Sequence, residues 1–478
     1  MLRCNNGPAL VGCRCRHLAE CCRKFWLTGR WKRLEGSSLS LFEFLHGAPI
    51  GIRRIGPAGD LALAVFALPL LGATPAHAQT LPENIGIVDS VSDAYKPIGG
   101  RIGSFYLYPE GLVQTDVTSN VFASDSYRRA DTVLTLRPAL RIVSDSSTQR
   151  YVGYMYGSRT FHARFSDENV SEYGVRASAR LGAPTASHFE ITGSAERLVD
   201  PRDSINNVAE ARTPVRRRHY AAEGSYTQVF NRLALTGGVR ATRVDYSDAR
   251  DRGDAVIDQD YRDYSQAGAD FEARYELPSG LFALGRASYD RFRYDFGPGD
   301  PGFDPAVNPD RDSHRVRVEA GVGADLMPRW YGYITAGYSE RRFGSQPIPL
   351  KTAKGFSFRS ALIWYLNPVT TFTLKADRDF AESASRTIAG YQVTGGSVRI
   401  DNSPMRGMLL SFEFGLRNYS PIGPAHARTE LAGAVELTYF LSRQYKLFAR
   451  ALQNSRTSGD PFVVYDRFQY SAGVKMTF

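Results

Sequence analysis

The sequence predicts an all-β fold, a transmembrane antiparallel outer-membrane β-barrel of about 18 strands, with 16 as the nearest alternative. Three observations predict it. Apolar and polar residues alternate with period two along most of residues 105–478, the pattern of strands lying between an apolar and a polar medium. The segments joining those strands are by turns short and long, as in a barrel with tight turns at one rim and larger loops at the other. The last strand, FQYSAGVKMTF at 468–478, carries one apolar file, one polar file and an aromatic end.

The first 78 residues stand apart. All five cysteines (Cys4, Cys13, Cys15, Cys21, Cys22) lie there, so the remainder offers neither a disulfide framework nor a cysteine metal site. Ten Lys and Arg against four acids also lie there, leaving 49 bases and 45 acids, a net of +4, for 79–478. That balance gives no argument for nucleic acid. Within the leader, about 51–78 reads as a secretory signal peptide: Arg53 and Arg54, an uncharged run from Leu61 to Leu71, and Ala76-His77-Ala78 before Gln79. The run is too short for a spanning helix. Cleavage near Ala78 and delivery to the outer membrane of a Gram-negative cell are expected. Residues 79–104 then form a short periplasmic segment and 105–478 the barrel.

Taken in order, alternation marks strands near 105–122, 130–144, 149–164, 171–182, 187–199 and 216–229. It continues near 232–246, 262–277, 280–296, 314–327, 329–342 and 355–366. The last six fall near 368–381, 390–400, 406–420, 428–440, 444–455 and 465–478. HRVRVEAGVGADLM at 314–327 is the clearest: Val316, Val318, Ala320, Val322 and Ala324 against Arg315, Arg317, Glu319 and Asp325. Turns such as 230–231, 277–280 and 441–444 are short, whereas 200–215, 247–261, 297–313, 343–354 and 382–389 are long. Both ends of the barrel fall on the short-turn side. A soluble sandwich also alternates, but it would not segregate its loops by length, nor place Ala and Gly between aromatics on a buried face.

YKPIGGRIGSFYLYPEGLVQTDVTSNVF (95–122) resembles the opening of the family called putative β-barrel porin type 2. The carriers are a P-x-G turn, G-S-F, an aromatic–Pro pair and a strand ending in Asn-Val-Phe. The closing hairpin, 445–478, is similar to that family's last pair, with Asn454-Ser455 before its loop and Tyr465-Asp466-Arg467 after it. Where the family usually has an acid before the Asn, this chain has Ser119. The resemblance implies an outer-membrane barrel, with family members often linked to exopolysaccharide or capsule export. Likeness to bacterial outer-membrane proteins further implies that Tyr470 and Phe478 belong to a signal read by the barrel-assembly machinery.

A charge in hydrocarbon costs ~2–4 kcal/mol at the bilayer midplane, so the charged files must face the lumen. Lumen-lining candidates on the first half are Arg137, Arg141, Arg176, Arg180 and Arg240, then Asp270, Glu272 and Arg286. On the second half they are Arg315, Arg317, Glu319, Arg359 and Lys375, then Glu413, Arg417, Glu436 and Arg450. Such a wall suits a porin-like channel for polar or anionic solutes, with exopolysaccharide export as one service. A non-conducting scaffold of a polysaccharide export assembly, and less so an outer-membrane hydrolase, are the alternatives. No enzyme is expected: the five histidines after Gln79 stand in no triad motif, H-E-x-x-H or P-loop. The Asp-rich loops at 248–263 and 300–312 lack EF-hand spacing and carry interleaved Arg, so no metal and no cofactor is expected. Expected partners are outer-membrane lipid, lipopolysaccharide, the assembly machinery and polysaccharide export components; Arg216-Arg217-Arg218 reads equally as a grip on lipopolysaccharide phosphates and as an ordinary rim cluster.

Overall fold

Along Ser313–Leu326 the outward residues Val316, Val318 and Val322 are 45%, 55% and 58% exposed, while Arg315, Arg317 and Glu319 between them are buried. This inversion of the soluble pattern recurs around the sheet: Val239, Ile334, Phe356 and Tyr470 all point outward and are more than half exposed. In water so much apolar surface would demand a partner; against lipid it is the required face. The structure, a computed structural model, describes Val88, Val91 and residues 94–478 apart from 147, 327–328 and 345–349. The leader, the signal peptide with its cleavage site and half of the expected periplasmic segment lie outside the described residues.

Eighteen long strands follow one another: β1 (Phe105–Thr118), β2 (Asp131–Ser144), β3 (Gln149–His162), β4 (Val170–Leu181), β5 (His188–Val199) and β6 (Arg216–Phe230). The middle six are β7 (Leu233–Tyr246), β8 (Tyr264–Glu276), β9 (Leu281–Tyr294), β10 (Ser313–Leu326), β11 (Trp330–Phe343) and β12 (Ala353–Asn367). The last are β13 (Thr370–Ala381), β14 (Tyr391–Asn402), β15 (Met408–Pro421), β16 (Arg428–Phe440), β17 (Tyr445–Ser458) and β18 (Tyr465–Thr477). Each pairs antiparallel with the next, and β18 pairs with β1 from Glu110↔Thr477 to Thr118↔Gln469, which closes the barrel. Closure leaves no sheet edge except the foot of β1, below the end of β18. There Phe478 N donates to Pro109 O at 2.9 Å, and a short strand, Gly100–Ile102, covers Phe105–Leu107. Neither that strand nor the small ladder 249–250/256–257 is visible as alternation in the sequence.

The strand expected near 105–122 stops at Thr118. Asn120 is fully buried and donates to Ser124 O and Asp466 O at 3.2 and 3.1 Å, turning the chain inward across the β1–β18 seam. Ser119, where the family usually has an acid, lies just past the strand end; its backbone N donates to Phe468 O and its hydroxyl accepts from Phe468 N, both at 2.9 Å. At the short-turn rim the outward face is aromatic: Trp330 and Trp364 stack at 5.0 Å, Phe372 lies 5.3 Å from Trp364, and Phe478 meets Tyr445 edge-on at 5.8 Å.

Glycine lets β10 and β11 approach closely on the inward face. A Cβ on Gly337 would sit 1.9 Å from Val318 O, and one on Gly321 would sit 2.0 Å from Ile334 O. Neither β10 nor β11 tolerates a side chain there, so the two strands close tightly and carry the long β10 arginines across the neighbouring wall.

Candidate functional site

The inward file of the barrel is polar, and its charges sort by how firmly they are held. One network covers β7 to β13. Arg240 meets Asp270 and Asp290, both at 2.8 Å, and Arg315 meets Asp290 at 2.8 Å. Gln266 adds a third donor to Asp290 at 2.9 Å. From β10, Arg317 reaches Asp379 on β13, crossing β11 and β12, whose inward Ser339 and Ser357 are small enough to allow the passage. Arg286 pairs with Glu272 at 2.5 Å, and Glu319 accepts from Thr335 at 3.4 Å. Buried carboxylates with two or three donors are satisfied, and such a network rigidifies a wall.

A second group is paired across neighbouring strands. Register sets Arg359 opposite Asp377, Glu413 opposite Arg399, Arg417 opposite Glu430, and Arg450 opposite Glu436. Lys375 faces only Ala361 and Ser397 in register. Around β1–β5, Arg141 pairs with Glu110 at 2.9 Å and Arg176 with Glu196 at 2.8 Å, while Arg137 lies over the Tyr156 ring at 4.4 Å. The Nε atoms of Arg137, Arg180 and Arg450 have no hydrogen-bond partner among the described residues. Lys446 and Lys475 stand directly opposite one another, and Lys475 in turn faces Leu112, which faces Arg137. Two like charges in register oppose folding; here Glu436, 3.6 Å from Lys475, and the nearby Glu110 carboxylate offset them in part. The expected lumen residues therefore all stand on the inward file. Tyr470 and Phe478 stand on the outward one, 59% and 47% exposed.

The feature that alternation does not disclose is the 200–215 loop between β5 and β6. At its root, Asp200 meets Arg217 and Arg262 at 3.2 and 3.0 Å, and Arg202 meets Glu168 at 2.6 Å. Its next residues cross to strands far around the barrel. Asp203 pairs with Arg467 of β18 and accepts from Asn454 of β17 at 3.3 Å; Arg456 bonds its carbonyl. Ile205 O accepts from Arg428 of β16 at 2.9 Å, and Asn206 exchanges hydrogen bonds with Glu382 O and Ala384 N. Ile205 also packs on Ile388, Tyr391, Val393 and Tyr419. Burial opposes ionisation of Asp203, yet Arg467 and Arg456 outweigh it and hold the carboxyl below its ordinary value.

The loop thus spans the lumen at its long-loop end and divides the space there. On one side of it lies a cavity of about 530 Å³ lined by Phe122, Tyr127, Asn207, Arg252, Arg428 and Phe462. Toward the wall, Asp203, Glu413, Arg450, Asn454 and Arg467 enclose about 130 Å³. Arg217 lies on the inward file at the loop's root, so of the expected lipopolysaccharide triplet only Arg216 and Arg218 face outward. At the opposite rim, Val88, Val91 and Tyr95 pack on the inward Leu409 and Phe440.

Two further features belong to enzyme and metal chemistry. His162 Nδ1 lies 3.0 Å from Asp131, but no Ser or Thr hydroxyl among the described residues hydrogen-bonds that imidazole. Asp248, Asp258 and Asp260 bring carboxylate oxygens within 4.8 Å of one another. Asp248 caps Gln259 N, and Asp258 caps Asp260 N and meets Arg386 at 2.8 Å, so these oxygens brace the loop.

A closed barrel of eighteen strands, apolar outside and charged inside with a loop folded across its bore, defines an outer-membrane barrel of the porin type. The chain belongs to the family described as Putative beta-barrel porin 2, which it matches over residues 93–478. No curated protein matches it in sequence. Among solved structures it is similar to Pseudomonas aeruginosa OccK9 (OpdG), at 11% identity and a TM-score of 0.43, over 79% of this chain and 100% of that one. OccK2 (OpdF) of the same organism aligns at 10% identity and 0.41, over 78% and 98%. OccAB3 of Acinetobacter baumannii aligns at 11% and 0.40, over 79% and 100%.

Proposed function

We propose that the protein is a channel for small polar solutes with a preference for anions, narrowed at its outer end by the 200–215 loop. The observation that carries this reading is the crossing of the lumen by Asp203 and Arg467, with the under-compensated row Lys446, Lys475 and Arg137 on the wall. A loop tied to both sides of a bore sets its width. Lysines held opposite one another raise the local anion concentration, because the low-dielectric wall focuses their field. Exopolysaccharide export gains no support from these features and forms no part of the proposal.

Planar-bilayer recording on purified protein tests it. Discrete conductance steps are expected, with a reversal potential in a salt gradient that favours anions. K446Q/K475Q should move that potential toward zero or to the cation side. A folded protein that inserts and passes no current would defeat the proposal and leave the scaffold reading.

A further inference from the structure

One sector of the barrel's outer surface carries a basic belt that a channel does not use. Toward the long-loop rim, outward positions on β6 run Tyr220, Arg218, Arg216; on β9 they run Tyr289, Arg291, Arg293; on β11 they run Tyr338, Glu340, Arg342. Tyr220, Tyr289 and Tyr338 are 47–48% exposed, and outward tyrosines mark the edge of the hydrocarbon. Two residues along a strand rise ~7 Å. The arginines therefore stand one and two steps above that edge, at the height of headgroup phosphates.

Register joins them into a band. Arg197 of β5 faces Arg218, Arg243 of β7 faces Tyr220, Arg291 faces His314 of β10, and His314 faces Arg342. Acids offset part of it: Arg218–Asp245 at 3.8 Å, Arg342–Glu340 at 2.8 Å, and Arg243 with Asp295. Arg216, Arg291 and Arg293 are exposed and make no side-chain hydrogen bond or ion pair among the described residues. From β15 to β18 the corresponding residues are neutral or acidic: Asn418 and Ser420 on β15, Thr429 on β16, Gln453 and Ser455 on β17, Asp466 on β18. Outward bases on other strands near this rim are Arg159 on β3, bonded to Ser171, Lys354 on β12 opposite Glu340, and Arg378 on β13, bonded to Gln392. Solvation of a rim calls for polar groups all round. It does not call for like charges in register on one side, which repel unless an anion bridges them.

We infer that Arg197, Arg216, Arg218, Arg291, Arg293 and Arg342 hold the phosphate groups of lipopolysaccharide in the outer leaflet. The test is binding of lipopolysaccharide to the purified full barrel in neutral detergent, with folding verified by heat-modifiable gel migration. R216Q/R218Q/R291Q/R293Q should raise Kd about tenfold or more, the loss of one or two charge-assisted contacts. The same four positions changed to Lys should stay near wild type, as should the neutral-sector control Q453A/S455A. Dephosphorylated lipopolysaccharide should bind wild type as weakly as the Gln variant, and inorganic phosphate at equal phosphate concentration should not compete. Equal affinity of wild type and the Gln variant would overturn the inference. So would undiminished binding of the dephosphorylated lipid, or competition by free phosphate. The readout is independent of conductance, so its failure leaves the channel reading standing.

Discussion

At the scale of single residues, two aspartates on outer loops have opposite pH behaviour. Asp203 is ionised and paired, its carboxyl held below the ordinary value by Arg467 and Arg456 against the cost of burial. Its contribution is present above that ordinary value and is lost only as pH falls through the lower folded one. The latch therefore holds across neutral and mildly acidic conditions. Asp203→Asn removes a charged hydrogen bond of ~1.5–3 kcal/mol, and channel conductance at neutral pH is expected to rise as the 200–215 loop loosens; an unchanged conductance would show that the loop does not set the bore. Asp263 behaves the other way. It accepts from Tyr246 N at 2.6 Å. Burial, aided by Asp245, Asp260 and Asp295, pushes its carboxyl up to about 7 although the Tyr246 amide pulls down. A raised folded value means that stability is fully present below the ordinary 3.8 and is lost as pH rises through about 7. Asp263→Asn mimics the neutral form, so it should melt ~1–3 °C above wild type at pH 8 and level with it at pH 4. A variant less stable at both pH values would mean that the ionised carboxylate is the better acceptor.

At the scale of elements, the barrel strands were legible because period two is imposed on every one of them by the two media they separate. β16 shows this best: its bounds, Arg428–Phe440, coincide with the run of alternation. The loops obey no such rule. Asp203 and Arg467 are 264 residues apart and meet only because the barrel brings β18 within reach of the β5–β6 loop. Nothing local in DSINNVAEAR (203–212) announces that contact. Arg216-Arg217-Arg218 reads as one rim cluster until the pleat sends Arg217 inward to Asp200. The seam between β1 and β18 gives the element-scale prediction. Phe478 contributes one exposed ring against Tyr445 and one backbone bond to Pro109, and a single apolar side chain is worth ~1.5–3 kcal/mol at most. Lys475 opposes Lys446, so Lys475→Ala relieves repulsion. If the final strand's aromatic file is read during assembly, Phe478→Ala should lower the yield of heat-modifiable barrel in cells several-fold while Lys475→Ala does not. Equal yields would reduce Phe478 to an ordinary girdle residue.

At the scale of the molecule, all the long loops rise from one rim and the tight turns from the other. Strand direction then determines which rim faces the cell exterior. In barrels of this type the short turns are periplasmic, and both described ends of the sheet, Gly100 and Thr477, lie at that rim. The basic belt fits the same orientation, because it occupies one sector of the long-loop end, where lipopolysaccharide phosphates lie in the outer leaflet. No cysteine follows Cys22, so with the five leader cysteines replaced by Ser, single cysteines report topology without background. A membrane-impermeant maleimide should label Asp254→Cys and Gly302→Cys on intact cells, both being exposed loop positions. Ser279→Cys and Arg443→Cys, in the tight turns before β9 and β17, should label only after the outer membrane is opened. The reverse pattern would invert the barrel and turn the 200–215 loop into a periplasmic gate. Labelling of all four on intact cells would mean that the strands do not cross the membrane at all.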